Sequence, residues 1–380
     1  MKFLHLSDLH IGKRVNEFSM IEDQKYILKQ ILSITEQKQV DAVIIAGDIY
    51  DKSVPSAEAV QVFDWFLTAL ADQKRKVFAI SGNHDSAERI AFGAQLMSSR
   101  DVYVSPVYDG TVSEISLTDA YGEVMVYLLP FIKPAAVRHA LENGQEENLP
   151  ESYQEAVEIA VKRMDVDRKK RNILLAHQFV TGAGRCDSED VSVGGLDNVD
   201  AEVFDAFDYV ALGHIHSPQS VKKATVRYCG TPLKYSFSEA EQEKSATVVE
   251  MKEKGQTEID TVPLYPLHDM HILKGTYLEV MAKDFYPDAA KDDYIKVILT
   301  DEEDILDGMQ KLRTKYPNLM QLEYDNNRTR KNRAVEVIQD VEQKSEMELF
   351  EEFYTLLNNQ PMSELQRKFM LQLLEEIREG

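Results

Sequence analysis

Short apolar runs alternate with polar segments along the first 220 residues, and five of these runs lead into residue types that bind metals. The runs lie at residues 2–7, 42–46, 77–80, 173–176 and 209–212. Runs of this length, rich in Val, Ile and Leu and bounded by glycine or polar residues, predict buried strands. Ligands gather outside the carboxyl ends of the strands in such sheets. We therefore expect the five strand ends to meet in one cluster.

Helical periodicity separates the first three runs. Apolar residues at helical spacing predict one helix through about residue 36, and a second helix is predicted from an inward stripe at Val60, Phe63, Phe66, Leu67 and Leu70. The order strand, helix, strand predicts a parallel or mixed sheet with helices on its faces. Alternating segments at residues 112–117 and 124–129 predict antiparallel strands of a second sheet.

The 380 residues exceed the usual size of one domain, and we predict three parts. Residues 1–265 form a large α/β domain. Residues 266–326 form a small α+β cap, with strands at 276–281, 294–299 and 319–324 and a helix at about 302–315. Residues 327–380 comprise a basic linker and two amphipathic helices, whose apolar residues are Met347, Phe350, Tyr354 and Leu357, and Leu365, Phe369, Leu373 and Ile377.

The net charge and the composition of the chain limit the classes of function it can have. The formal net charge of −22 excludes a simple basic DNA-binding module, but it permits an enzyme whose bound cations supply positive charge, and it favours a partner that helps to bind the substrate. Cys186 and Cys229 fit no metal or redox spacing, which suits a reducing cytoplasm. Because no stretch approaches the roughly 18 apolar residues of a membrane span, we expect a soluble, cytoplasmic protein.

Seven polar side chains next to the runs form a candidate metal cluster: Asp8, His10, Asp48, Asn83, His177, His214 and His216. Any one of these histidines alone is more often a core residue, as we predict for His5, but their joint placement favours metal binding. Seven ligands are too many for one tetrahedral zinc. The central Asp48 is placed to bridge two cations about 3.5–4 Å apart, as in two-metal hydrolases, and phosphoester hydrolysis is the chemistry that such a pair suits.

Further polar residues near the cluster are candidates for catalysis and substrate binding. His84 follows a predicted ligand and is expected to stay off the metals, where it stabilises the pentacoordinate phosphorus or protonates the departing alkoxide. Asp85 either orients that imidazole or caps a helix. Lys13, Arg14 and Arg89 follow motif residues, where they contact phosphate or are ordinary solvated charges.

The order of these motifs resembles that of the calcineurin-like metallophosphoesterases. The motifs are Asp8-x-His10, Gly47-Asp48-x-x-Asp51, Gly82-Asn83-His84-Asp85, a lone His177 and Gly213-His214-x-His216. The resemblance implies a four-layer β-sandwich flanked by helices. It also implies two metal sites, one formed by Asp8, His10, Asp48 and His216 and the other by Asp48, Asn83, His177 and His214.

Two further segments resemble the nuclease subunits of SbcCD-type complexes: Leu6-Ser7-Asp8-Leu9-His10-Ile11-Gly12, and Gly230-Thr231-Pro232 followed by Ser236-Phe237-x-Glu239. This resemblance implies two Mn²⁺ ions, with Mg²⁺ as a substitute. It implies a 3′-to-5′ double-strand exonuclease and single-strand or hairpin endonuclease in DNA repair, replication and recombination. Two such subunits would assemble with two SbcC-type ATPase subunits bound through the C-terminal helices.

The sequence leaves the role of Asp51 and the substrate class open. Asp51 stands where archaeal and eukaryotic relatives tend to carry histidine, so its role is not defined by the resemblance. A phosphodiesterase or phosphatase acting on a small molecule or a phosphoprotein would use the same metals, and a non-catalytic scaffold would keep only the fold.

Overall fold

Each of the five apolar runs forms a buried strand in the computed structural model, as predicted. The structure describes residues 1–142, 149–189, 197–287 and 290–329, together with 347, 350–351, 354, 362–364, 366–370 and 373. The chain divides into two compact units, Met1–Asp269 and Met270–Gly380.

The first unit contains sixteen strands and six α-helices among its described residues. The strands are β1 (Lys2–Leu6), β2 (Arg14–Val15), β3 (Phe18–Ser19), β4 (Ala42–Ala46), β5 (Lys76–Ile80), β6 (Val102–Val104), β7 (Ser113–Asp119), β8 (Gly122–Leu128), β9 (Arg171–His177), β10 (Phe179–Val180), β11 (Asn198–Val199), β12 (Tyr209–Gly213), β13 (Gln219–Val221), β14 (Lys223–Tyr228), β15 (Ser245–Met251) and β16 (Thr257–Pro263). The helices are α1 (Ile21–Gln37), α2 (Ala57–Asp72), α3 (Ala87–Ile90), α4 (Ala94–Ser98), α5 (Pro134–Glu142) and α6 (Tyr153–Lys162).

Two six-stranded mixed sheets pack face to face in this unit. Their strand orders are β16-β15-β1-β4-β5-β6 and β13-β14-β12-β9-β8-β7. Strands β1, β4, β5 and β6 of the first sheet run parallel, as do β8, β9, β12 and β14 of the second. The carboxyl ends of the five predicted strands therefore share one direction within each sheet. Phe3, Ile44 and Phe78 of the first sheet share a core with Ile173 and Leu175 of the second.

Helices cover the outer faces of both sheets. Helix α2 packs on β5 and against α1, and Val137 of α5 and Val157 of α6 pack on the second sheet. This gives the predicted four-layer α/β sandwich. The prediction for α2 was wrong at Val60, which is 43% exposed, because Val62 and Phe66 lie on the inward face of the helix and Val60 does not.

The second unit contains a three-stranded parallel sheet in the order β17-β18-β19. Its elements among the described residues up to Tyr324 are β17 (Met270–Gly275), α7 (Tyr277–Met281), β18 (Tyr294–Leu299), α8 (Gly308–Arg313) and β19 (Leu319–Tyr324). The strands predicted at 294–299 and 319–324 are confirmed. The strand predicted at 276–281 is wrong: Thr276 and Glu279 form a capping box that starts α7. The helix expected at 302–315 is confirmed only over α8.

The predicted basic linker beyond residue 329 and most of the two C-terminal helices lie outside the described residues. Residues 366–370 are helical. Where the chain is described, it contains no helix of the length and apolarity that crossing a membrane requires.

Candidate metal centre

The chain turns sharply where it leaves the central strands. Asp8, His10, Asp48 and His214 all have positive φ, at 52°, 43°, 49° and 100°. This conformation costs a non-glycine residue about 1–3 kcal/mol, and such strain is concentrated at functional sites. Backbone hydrogen bonds hold two of these turns together, since the Asp8 N–H donates to the Gly47 carbonyl at 3.0 Å and the His10 N–H to the Asp48 carbonyl at 3.0 Å.

One half of the cluster contains Asp8, His10 and His216. Each offers a ligand atom within 4.8 Å of the others, and all three side chains are buried. The Nε2 atoms of His10 and His216 lie 3.2 Å apart, and His10 Nε2 lies 3.7 Å from Asp48 Oδ2. The Asp8 carboxylate accepts the His214 backbone N–H at 3.0 Å, which ties the ends of β1 and β12 together.

The other half of the cluster is centred on the Asn83 amide. Asn83 Oδ1 lies 3.0 Å from His177 Nε2 and 3.0 Å from His214 Nδ1. His177 Nε2 also lies 3.3 Å from Asp48 Oδ2, so Asp48 contacts both halves. The second ring nitrogen of His177 fixes its orientation, because Nδ1 donates to the Ala46 carbonyl at 2.8 Å. The structure thus brings all seven predicted side chains together.

Burial and neighbouring charges shift the pKa values of the cluster residues. Burial lowers the pKa of His10 well below its ordinary value and that of His214 to about 3, so both imidazoles are neutral at physiological pH. Burial raises the pKa of Asp8 to about 7. Burial also opposes the charges on Asp48 and His177, but their mutual attraction dominates. It holds the pKa of Asp48 well below its ordinary range and raises that of His177 to about 9.

These donors fit two divalent cations. The set combines neutral imidazoles, two carboxylates and an amide oxygen, which are borderline and hard ligands of the kind that first-row divalent metals accept. The two Nε2 atoms that face each other at 3.2 Å cannot both carry protons in that position, and a cation between their lone pairs satisfies both. Metal binding would also replace the proton that His177 holds beside Asp48.

Glycines next to the ligands allow two close approaches, one between the two sheets at Gly213 and one between the loops after β4 and β5 at Gly82. A Cβ atom built at Gly213 would lie 1.9 Å from the Ala46 carbonyl oxygen, and one at Gly82 would lie 2.4 Å from the Asp48 backbone nitrogen. Both distances are far shorter than any side chain tolerates, so these positions require glycine.

His84 lies at the edge of the cluster, with its side chain 21% exposed. Its backbone N–H donates to Asp48 Oδ1 at 2.9 Å, and its Nδ1 lies 3.0 Å from the Asp51 carbonyl oxygen. The Nε2 atom is thereby turned toward the cluster, 4.0 Å from Asp48 Oδ2. The geometry also groups His84 with His10 and Asp48 as a possible ligand set, so its placement off the metals stays a prediction.

Asp85 makes backbone contacts that neither of the two predicted roles includes. Its carboxylate accepts backbone N–H groups from Ile49, Tyr50 and Gly82 at 3.0, 2.9 and 2.9 Å, which joins the loops after β4 and β5. The orienting contact on His84 Nδ1 comes from a backbone carbonyl, and Ser86 caps α3. The helix-cap hypothesis for Asp85 is therefore wrong, and its orientation of His84 stays a prediction. Burial, together with the nearby charge of Asp48, raises the pKa of Asp85 to about 6.

The basic residues near the cluster differ in their contacts. Lys13 Nζ donates to Asp51 Oδ1 at 2.8 Å and lies over the Tyr235 ring. The Arg14 guanidinium is exposed and donates to the Glu17 carbonyl, while Arg89 is exposed. Asp51 thus pairs with Lys13, and phosphate contacts by the three basic residues stay a prediction.

Sequence reasoning missed the residues behind His216. Ser188 Oγ lies 2.6 Å from His216 Nδ1 and 2.6 Å from Glu239 Oε1, and Lys244 Nζ donates to Glu239 Oε2 at 2.6 Å. Glu189 accepts the His216 backbone N–H at 2.7 Å. Glu239 belongs to one of the motifs, but nothing in the sequence connects it with Ser188, which lies 51 positions earlier.

Comparison with known proteins defines the class. A family model described as calcineurin-like phosphoesterase matches residues 1–218, which is more than half of the chain, and the chain belongs to this family. Over its whole length, the chain is 32% identical to the SbcD subunit of nuclease SbcCD from Staphylococcus epidermidis, in an alignment of 389 residues that covers 100% of both chains. Residues 266–357 match a model described as type 5 capsule protein repressor C-terminal domain. The predicted resemblance to these nuclease subunits is confirmed.

Solved structures with a partial likeness include one from a bacterium and one from a fish. Calcineurin-like phosphoesterase YfkN from Bacillus subtilis is 14% identical and covers 70% of this chain and 90% of its own, with a TM-score of 0.35. A dimetal phosphatase from Danio rerio is 11% identical and covers 70% of this chain and 99% of its own, with a TM-score of 0.38.

Proposed function

We propose that the chain is the nuclease subunit of an SbcCD-type complex and hydrolyses DNA phosphodiesters with two metal ions. Its activities are a 3′-to-5′ exonuclease on duplex ends and an endonuclease on single strands and hairpins, in DNA repair, replication and recombination. The observation that carries the proposal is the convergence of seven ligand-type side chains, from five separate strand ends, with Asp48 at the centre of the cluster. The full-length similarity to a protein named as a nuclease supports it.

The proposed ions are Mn²⁺, with Mg²⁺ as a substitute. Asp8, His10, Asp48 and His216 would hold one ion, and Asp48, Asn83, His177 and His214 the other. When bound, the pair polarises the scissile phosphodiester and lowers the pKa of the attacking water. Mixed imidazole and carboxylate ligation supports manganese.

His84 is the proposed general acid. Its Nδ1–H donates to the Asp51 carbonyl at 3.0 Å, which fixes the ring and leaves Nε2 facing the cluster. In the imidazolium form, Nε2–H points toward the place where a phosphodiester beside Asp48 would lie, so it is positioned to protonate the departing alkoxide. Asp85 contributes indirectly, because it holds the loops that carry Asp48 and His84.

DNA contacts and partners complete the proposal. Arg14 and Arg89, both exposed, bind backbone phosphates, and Lys13 does so if it leaves Asp51. The C-terminal helices bind the ATPase subunit, which is supported by the exposure of Phe369 at 64%.

A homodimer within a heterotetramer would use the apolar residues exposed on the first two helices. Tyr26 of α1 is 41% exposed and Trp65 of α2 is 36% exposed. A cytoplasmic location is supported by the unpaired thiols of Cys186 and Cys229.

The test is a Mn²⁺-dependent cleavage assay on linear duplex and hairpin DNA, with and without the ATPase subunit. We expect His84→Gln to lower kcat by about 10²–10⁴-fold with no change in bound manganese. The matched control is His139→Gln on the exposed face of α5, which should cleave normally. Full activity of His84→Gln would remove this residue from the mechanism. Turnover of a cyclic nucleotide or a phosphopeptide, with none on DNA, would refute the nuclease assignment.

A second experiment tests the partner. Deletion of residues 343–380 should abolish co-purification with the ATPase subunit, while the truncated protein still hydrolyses a simple phosphodiester. Retained co-purification would contradict the role of the C-terminal helices.

A further inference from the structure

His216 is connected to a buried carboxylate through a single hydroxyl group. Its Nδ1 lies 3.9 Å from Glu239 Oε1, too far for a hydrogen bond, but Ser188 Oγ lies 2.6 Å from each of these atoms. We propose that Ser188 and Glu239 are positioning residues that fix the tautomer and the orientation of His216 for metal binding. This inference rests on the metal site of the proposed function, but not on DNA as the substrate.

The chemistry of the three groups gives the chain of hydrogen bonds one direction. An ionised carboxylate only accepts hydrogen bonds, so the Ser188 hydroxyl must donate its proton to Glu239. The lone pairs of that hydroxyl then accept the Nδ1–H of His216. The proton of the neutral imidazole is thereby held on Nδ1, and the Nε2 lone pair points at the cluster, where His10 Nε2 lies 3.2 Å away. This is the tautomer that a metal ligand needs.

Lys244 keeps the carboxylate ionised. Glu239 is fully buried, and Lys244 is 5% exposed. Lys244 Nζ donates to Glu239 Oε2 at 2.6 Å, to the hydroxyl of Thr231 at 2.9 Å and to the backbone carbonyl of His216 at 2.9 Å. The lysine therefore compensates the buried charge and also holds the main chain of the same histidine, so its ring and its backbone are fixed by one network.

The support that His216 receives differs from that of two other histidines in the cluster. The Nδ1 atom of His177 donates to a backbone carbonyl, that of Ala46, at 2.8 Å. The Nδ1 atom of His10 is buried and has no hydrogen-bond partner among the residues that the structure describes. A linked carboxylate raises the basicity of an imidazole ligand. Because His216 is a proposed ligand of only one ion, loss of the Ser188 link should weaken the binding of that ion and leave the other unchanged.

The test is calorimetric titration of the full-length protein with Mn²⁺ in the absence of DNA. Ser188→Ala removes the link and should lower the affinity for one of two Mn²⁺ ions by about 10–100-fold, with the other unchanged. Ser188→Thr keeps a hydroxyl and should restore binding. The matched control is Ser33→Ala on the exposed face of α1, which should bind as wild type does.

Five outcomes distinguish the possibilities. Selective weakening of one ion in Ser188→Ala, with recovery in Ser188→Thr, supports the inference. Two-site binding within twofold of wild type in Ser188→Ala overturns it, as does equal weakening in both Ser188 variants. Ser188 is partly exposed, so its truncation should leave the fold intact, which an unchanged Tm will verify. Wild type that binds two Mn²⁺ ions but cleaves no DNA would refute the proposed function alone. Wild type that binds no Mn²⁺ would overturn both.

Discussion

Gly213→Ala is the substitution whose effect on the site is most directly calculated. Gly213 ends β12 in the second sheet and faces Ala46 at the end of β4 in the first sheet. An added Cβ would lie 1.9 Å from the Ala46 carbonyl oxygen and 2.7 Å from His177 Nδ1. The first contact is with backbone, which has no rotamer to change. The two sheets must therefore separate by about 1 Å at the point where the ligands meet.

Two contributions make up the expected loss of stability in Gly213→Ala. Overpacking a closely packed interior costs about 1–3 kcal/mol, and occasionally more. The hydrogen bond between His177 Nδ1 and the Ala46 carbonyl, 2.8 Å long, would also be lost, which leaves buried polar groups without partners at about 1–3 kcal/mol. We expect a total loss of about 3–5 kcal/mol, which lowers the Tm of a unit of this size by roughly 6–20 °C. Displacement of His177 should lower Mn²⁺ affinity by at least about tenfold.

Differential scanning calorimetry and Mn²⁺ titration measure both effects. Gly184→Ala is the matched control, since its Cβ would meet nothing closer than 3.8 Å and its φ is not in the left-handed region. It should change stability by less than about 0.5 kcal/mol. A Gly213→Ala variant with the Tm and the Mn²⁺ affinity of the control would refute the close approach of the two sheets at this site.

Three further predictions concern stability. Asp85→Ala removes the acceptor of three backbone N–H groups and should lower the free energy of unfolding in urea by about 2–4 kcal/mol; no change would contradict the anchoring role. Burial lowers the pKa of His5 from 6.5 to about 3, so the unfolded chain binds the proton more readily between these values, and stability falls as the pH falls through this window. His5 should make the free energy of unfolding change by about 1.4 kcal/mol per pH unit in this window. His5→Phe should remove this pH dependence, measured as the difference between the free energies of unfolding in urea at pH 5 and pH 6.5. An unchanged difference would contradict the role of His5. Lys244→Met leaves Glu239 buried without its partner and should cost about 3–5 kcal/mol, most of which Lys244→Met with Glu239→Gln should recover; equal losses in both would argue that the pair is not coupled.

The metal cluster was predictable because its positions follow from local patterns. Each central strand is a short apolar run buried on both faces. Asp8 and Asp48 could therefore be placed at the strand ends without deciding which residues of each strand face inward. Parallel strands carry their carboxyl ends to the same edge of each sheet. The face-to-face packing of the two sheets then makes residues as distant as Asp8 and His214 neighbours. The core position of His5 followed in the same way, and its Nδ1 lies 2.9 Å from the Tyr209 hydroxyl.

The supporting contacts were not predictable because they are not local. Both roles considered for Asp85 involved its immediate neighbours, whereas two of its partners belong to a loop about 35 positions earlier. The pairing of Ser188 with Glu239 likewise depends on how two loops fold over His216. At α7 the error was different: the Thr276–Glu279 capping box was present in the sequence, but the apolar residues around it favoured a strand.

The central claim is that distant side chains form one cage for two ions. Anomalous diffraction at the manganese edge, from crystals grown with Mn²⁺, tests it directly. We predict two peaks about 3.5–4 Å apart, with the Asp48 carboxylate between them and the other six predicted ligands around them. A single peak, or two peaks without Asp48 between them, would contradict the account.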